Sequence, residues 1–296
     1  MTERLPSTER VDGGTADIDR VDTLTRVRRL IDAQRGAIDA ALAAENAIAH
    51  TVDAVVAALQ GGGHVIVLGA GTSGRLAVLD ASELPPTFGF PAERYQGRIA
   101  GGDGALRRAV EGAEDDAGAG AACTADARRG DVVIGVSASG SAAFVAGALG
   151  AARAAGALTV ALVNAAGSAL ARDADIAILA DTGAEPIAGS TRLRAGTAQK
   201  IVLNTISTAA MIALGKTYRN LMVDVVASNA KLRARALRLV RELAGDADAD
   251  AAALLDAAGG RVKTAVVMAR RGVDRAAAER LLEDAGGRLA ALMDEA

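Results

Sequence analysis

The chain has 296 residues, a formal net charge of -3 at pH 7, 51% hydrophobic residues and 23% charged residues. Such a length and composition describe a globular chain with room for one large α/β domain and a small appendage, and they exclude a disordered one. No stretch concentrates the basic charge of a nucleic-acid surface, a single cysteine (Cys123) allows neither an intrachain disulfide nor a cysteine metal cluster, and two histidines (His50 and His64) are too few for a histidine metal site.

No run of ~18 apolar residues suggests a membrane span, and the polar N-terminal residues lack a secretory apolar core. A cytoplasmic location is therefore expected. Residues 1–20 read as polar and irregular. From residue 23 to 59 apolar residues recur at threes and fours (Leu24, Val27, Leu30, Ile31, then Ile38, Leu42, Ile48, Val52, Val55), which predicts helix. Glycines 61–63 end it. "HVIVL" (64–68) is a short β-branched run between turn signals and predicts a buried parallel strand. A helix should follow over 73–83, with Ser73 as N-cap and Pro85–Pro86 as its stop.

Further strands are predicted around 94–100, 131–137, 158–164 and 175–180, with helices over 103–117 and 141–154 between them. Longer helices are predicted over 196–214 and 222–243. Strand alternating with helix argues for a doubly wound α/β fold, an open parallel sheet with helices on both faces. The small and acidic stretch "AGDADADAAA" (244–253) is read as a domain boundary. The expected division is an irregular segment over 1–22, the α/β domain with flanking helices over 23–245, and a small three-helix domain over 246–296.

Two loops carry the functional signal. "GAGTSG" (69–74) has the glycines of a dinucleotide fingerprint, but the second strand ends in Ile99-Ala100-Gly101 with no acid at its tip. In place of that acid the loop offers Thr72 and Ser73 beside a helix N-terminus, where hydroxyls, backbone N–H groups and the dipole favour a phosphate ester. "GVSASGS" (135–141) repeats the design, with Ser137, Ser139 and Ser141 around Gly140. Two such loops at the carboxyl ends of parallel strands should converge on one crevice and favour a phosphosugar over NAD. The plainer reading is that these residues only cap helices. Gly71, Thr72, Ser73, Ser137, Ser139, Gly140 and Ser141 are the candidate binding residues. "GSTRLRAGT" (189–197) adds Ser190, Thr191, Arg192 and Arg194 ahead of a helix opening near Thr197, as a second edge of the anion site or a subunit contact.

Two carboxylates stand out. Glu83 ends the first predicted helix after the strand, where its charge opposes the dipole. Glu114 follows Leu106 and Val110 at spacings of four, so it projects from an apolar stripe, where burial would raise its pKa into the range of a general acid or base. Asp115 and Asp116 read as solvated.

The stretches "GAGTSGRLAVLDASELPPTFG", "IAGGDGALRRAVEGAEDD", "GSTRLRAGTAQKIVLNTISTAAMIALGK" and "NLMVDVVASNAKL" resemble the N-acetylmuramic acid 6-phosphate etherases of the sugar-isomerase (SIS) superfamily. The resemblance runs from about Ile18 to the C-terminus. It implies a SIS domain with a small C-terminal helical domain, a homodimer, a sugar-phosphate substrate and no cofactor or metal. It implies that Glu114 removes the C2 proton and that Glu83 protonates departing lactate and then activates water. The chain departs from the family after "SASG", where Ser141-Ala142-Ala143-Phe144 replaces the usual Arg-Thr-Pro-Tyr and looks closer to the glucokinase regulatory protein. A non-catalytic sugar-phosphate regulator and a phosphosugar isomerase are the competing readings.

Overall fold

The computed structural model describes residues 6–225, 230–245 and 250–293. By contacts the chain forms two compact units, one of residues 1–82 and 93–207, the other of residues 83–92 and 208–296.

The first unit is built on five parallel strands, β1 (Val65–Gly69), β2 (Tyr95–Ile99), β3 (Val132–Ser137), β4 (Leu158–Val163) and β5 (Ile176–Leu179), in the order β2-β1-β3-β4-β5. The doubly wound parallel sheet read from the sequence is therefore what forms. Every residue of β1 and β3 is buried, as the unbroken apolar runs require of strands covered on both faces. On one face Ile66, Leu68, Val133, Ala161 and Val163 share a core with Phe144, Val145, Ala148 and Leu149 of helix α6 (Ala143–Ala154). The alternate residues Val65, Val67, Ile134, Val160 and Leu162 are equally buried, so the other face is covered too.

The helical stretch expected over 23–59 is three helices, α1 (Thr23–Asp32), α2 (Arg35–Ala43) and α3 (Glu45–Gln60). Helix α1 is capped by Asp22, whose carboxylate accepts from Thr25 N at 3.1 Å. After β1, α4 (Gly71–Phe88) starts two residues before the expected N-cap and runs through Pro85 and Pro86. The prolines remove two N–H donors, yet they fall in the last turn, where the helix closes with Gly89 N donating to Pro85 O at 3.0 Å.

The helix expected over 103–117 does not form. The segment holds two short 3-10 turns, Asp103–Leu106 and Ala113–Asp115, separated by loop, and a real helix, α5 (Ala117–Cys123), begins only after them. Gly102 and Gly112 adopt positive φ here (68° and 72°), which breaks the helical path that the apolar spacing suggested. Asp116 caps α5 by accepting from Ala119 N at 2.8 Å, so it has a structural task. The unit is completed by α7 (Ala169–Asp173) and by the start of α8 (Arg194–Ala213), which opens three residues earlier than Thr197.

The second unit packs α9 (Ala230–Leu243), α10 (Ala251–Ala257), α11 (Val262–Arg271) and α12 (Arg275–Asp284), followed by the short α13 (Ala290–Met293). The helix expected to open at 222 is observed only from Ala230, and 226–229 lie outside the described residues. Its core includes Leu239, Val240, Leu255, Val266, Leu282 and Leu289. Lys263, 7% exposed, is held there by Asp224 Oδ2 (2.7 Å) and the carbonyls of Gly215 (2.8 Å) and Gly287 (2.7 Å). Burial pushes its pKa down and Asp224 opposes that shift. Among the described residues no single helix is long and apolar enough to cross a membrane.

Helices α5 and α6 cross at two glycines. A Cβ on Gly120 would overlap the Phe144 carbonyl, and one on Gly147 the Ala117 carbonyl. Alanine in a helix interior is favoured over glycine by about 1 kcal/mol, whereas overpacking against backbone that cannot swing aside costs about 1–3 kcal/mol. The overlap should win. Gly147→Ala is expected to lower the unfolding free energy in urea, and a neutral or stabilised variant would show that the helices part freely.

Candidate functional site

The strand order places the site. From β1 the chain winds outward to β2, and from β3 it winds the other way to β4, so the loops after β1 and β3 diverge and leave a crevice at the carboxyl ends of both strands. A cavity of about 370 Å³ opens there. Gly71, Thr72 and Ser73 line it from the first turn of α4, and Ser137, Ser139, Ser141 and Ala142 line it from the loop between β3 and α6. Six of the seven loop residues named from the sequence thus line the cavity; the seventh, Gly140, is buried with φ 68° and is not on the lining.

Both helix starts leave backbone donors open. The first intrahelical bond of α4 is Gly74 N to Ala70 O at 3.2 Å, so the N–H groups of its first residues have no helical partner. Ala142 caps α6 with no side-chain bond. Gly74 lets α4 press onto β1, since a Cβ there would overlap Gly69 O and meet Ile99 Cγ1 at 2.6 Å.

The hydroxyls are not equivalent. Ser73 Oγ donates to Gln199 Oε1 (2.9 Å), Gln199 Nε2 to Asn164 Oδ1 (2.8 Å), and Asn164 Nδ2 to the carbonyl of Ala180 (2.8 Å). A carbonyl can only accept, so the Ala180 end sets the direction of the whole relay. The Ser73 hydrogen is therefore committed to Gln199, and Ser73 can offer an anion its backbone N–H but not its hydroxyl. Ser73 is no N-cap either, lying inside α4. Ser137 Oγ accepts from Gly140 N (3.1 Å), and among the described residues its own hydrogen has no acceptor. Ser139 and Ser141 share one bond between their Oγ atoms (2.8 Å), which leaves one hydroxyl hydrogen of the pair available. Thr72 is half-buried on the lining.

The segment before α8 reaches the cavity through Gly189 and Thr191, while Ser190 is not on the lining. Arg194 is no anion-binding cation. Its guanidinium donates to the carbonyls of Ala33 (2.6 Å) and Ala184 (2.7 Å) and pairs with Asp12 (3.2 Å). The fully buried Glu185 holds the start of α8, accepting from Arg194 N and Ala195 N at 2.8 Å each. Lys200 and Arg192 are exposed and off the lining.

Glu114 lies on the lining, on the second 3-10 turn, and is exposed. The buried apolar stripe expected to carry it is absent, because Val110 is itself 46% exposed and no helix forms. Asp115 and, from the N-terminal segment, Glu9 also line the cavity. Neither was singled out from the sequence, since Asp115 sits in an acidic run and Glu9 in a stretch without periodicity. Glu83 is exposed on α4 and belongs to the second compact unit. Among the described residues no group of three or more His, Cys, Asp or Glu side chains is placed to hold a metal ion.

Residues 47–153 match the glucokinase regulatory protein N-terminal SIS domain family, and residues 111–209 match the SIS domain family. The chain is 51% identical to an N-acetylmuramic acid 6-phosphate etherase of Deinococcus radiodurans, over 97% of this chain and 95% of that one. It is 48% identical to one of Gloeobacter violaceus over 100% and 99% of the two chains, and 50% identical to one of Streptomyces avermitilis over 94% and 90%.

The relay separates stability from ligand binding. Ser73→Ala leaves Gln199 Oε1 buried without a donor and is expected to cost about 1–3 kcal/mol in urea unfolding. Ser139→Ala is expected to leave stability nearly unchanged and to weaken binding of phosphorylated sugars more than of unphosphorylated ones. Equal weakening of both ligands by Ser139→Ala would remove that loop from the phosphate site.

Proposed function

Because the chain belongs to the N-acetylmuramic acid 6-phosphate etherase family, we propose that it cleaves the D-lactyl ether of N-acetylmuramic acid 6-phosphate to N-acetylglucosamine 6-phosphate and D-lactate. The observation that carries this reading is the cavity at the β1/β3 switch point, where two helix starts with open N–H donors and several hydroxyls meet a carboxylate at Glu114. The open N–H groups and free hydroxyls suit the phosphate, and the carboxylate suits proton transfer.

In the open-chain sugar the C1 aldehyde acidifies the C2 hydrogen. Glu114 takes that proton, and its exposure keeps its charge hydrated until the substrate arrives. The C3–O bond breaks as Glu83 gives its proton to the lactate oxygen. An unsaturated aldehyde is left, with Glu83 ionised and Glu114 protonated. Water then adds at C3: Glu83 takes its proton, and Glu114 returns its own to C2, which resets both groups. The aldehyde serves as the electron sink, so the sequence of steps needs no cofactor. We place the activity in cytoplasmic recycling of cell-wall amino sugars, and the active species is a homodimer.

Incubation with N-acetylmuramic acid 6-phosphate is expected to release D-lactate. Glu83→Ala and Glu114→Ala should each lower turnover by about 10²-fold or more while N-acetylglucosamine 6-phosphate still binds. A sugar-phosphate regulator would bind without releasing lactate. Full turnover in either variant would remove that residue from its role.

A further inference from the structure

The N-terminal segment before α1 holds a carboxylate that the reaction above does not use. Residues 6–15 form a strap fixed at several points. Gly189 N donates to Thr8 O at 3.1 Å, and Ser7 Oγ donates to Asp181 Oδ1 at 3.0 Å. The carboxylate of Asp12 pairs with Arg194 at 3.2 Å, and Thr8 is fully buried. None of these contacts involves the side chain of Glu9. Its backbone is placed by its neighbours, and Glu9 lines the cavity together with Thr72, Ser137, Ser139 and Gly189, its Oε2 lying against Gly189. Among the described residues that carboxylate has no cation and no hydrogen-bond partner.

Gly189 makes room for it. A Cβ at that position would lie 3.0 Å from Glu9 Oε2. An anchored backbone with an unpaired head group is what a preorganised ligand contact requires. A carboxylate only accepts hydrogen bonds, and it repels phosphate. Its chemistry therefore fits the part of a sugar phosphate that carries O–H and N–H donors.

We propose that Glu9 is a substrate-contacting residue that reads the carbohydrate, accepting hydrogen bonds from a hydroxyl or amide N–H of the bound sugar phosphate. The proposal rests on the cavity being a sugar-phosphate site. Glu9 is exposed, so Glu9→Gln should fold and melt as the wild type does. Glu9→Gln is expected to weaken binding of N-acetylglucosamine 6-phosphate about tenfold, the loss of one hydrogen bond to a charged group. Inorganic phosphate should bind the variant as well as the wild type or better, because a negative charge has gone. In turnover, KM should rise while kcat changes little.

Calorimetry of the full chain with both ligands decides it. Unchanged affinity for the sugar phosphate in Glu9→Gln overturns the proposal. So does a parallel loss for inorganic phosphate or a lowered melting temperature, since either assigns Glu9 to holding the strap. If the wild type binds inorganic phosphate but no sugar phosphate, the reading of the cavity fails and the role of Glu9 falls with it.

Discussion

The parallel pairing of β1 with β3 is the constraint on which the site depends. It sets Gly69 beside Val136, so the two strands end together. Because the chain leaves β1 toward β2 and leaves β3 toward β4, no crossover fills the gap above that pair. The segment after β1 becomes helix within two residues, the one after β3 does so after a loop over 138–142, and a helix start leaves N–H groups without partners. The sheet thus creates a concentration of donors before any side chain is chosen. The burial of β1 and β3 on both faces then holds those donors still, because neither strand can shift without opening the core.

The relay from Ser73 to Ala180 shows how a distant group sets the chemistry of a near one. Asn164 follows β4 and Gln199 lies on α8, yet the carbonyl at Ala180 dictates which way each amide points. A buried amide facing the wrong way would set two acceptors or two donors against each other, at a cost of about 1–3 kcal/mol. The direction is therefore well determined, and it withdraws the Ser73 hydroxyl from the cavity. Counting hydroxyls in the loop overstates what an anion meets there. The backbone donors of α4 and the hydroxyls after β3 are what is left to meet it.

Legibility in the sequence followed the physics of each signal. The strands were readable because buried parallel strands demand continuous β-branched runs, and "HVIVL" and "DVVIGVS" have few other folds open to them. The two loops were readable because glycine and serine beside a strand end have a local reason to be there. Residues 103–117 misled because Leu106, Val110 and Glu114 keep helical spacing across Gly112, whose positive φ the spacing cannot report. Arg194 looked like an anion ligand, since a free arginine and one spent on carbonyls of distant segments read alike. Glu9 had no signal at all. Its place follows from the bond between Gly189 and Thr8, far apart in sequence, and a polar stretch without period gives no hint of such a contact.

The charges on the cavity impose a direction on any ligand. Glu9, Glu114 and Asp115 line it, and among the described residues no lysine or arginine does. Two like charges 4 Å apart repel by about 4 kcal/mol at the effective dielectric of a protein surface, enough to reject a phosphate placed among the carboxylates. The helix starts, each equivalent to about half a positive charge, attract the same group. A phosphomonoester is driven to the helix starts, and the uncharged remainder of the molecule is left to the carboxylates. Those carboxylates can accept from hydroxyls or take a proton, but they cannot hold an anion. For the sugar phosphate proposed above, these electrostatics set the phosphate at the helix starts and leave Glu114, the proposed C2 base, to the carbohydrate end.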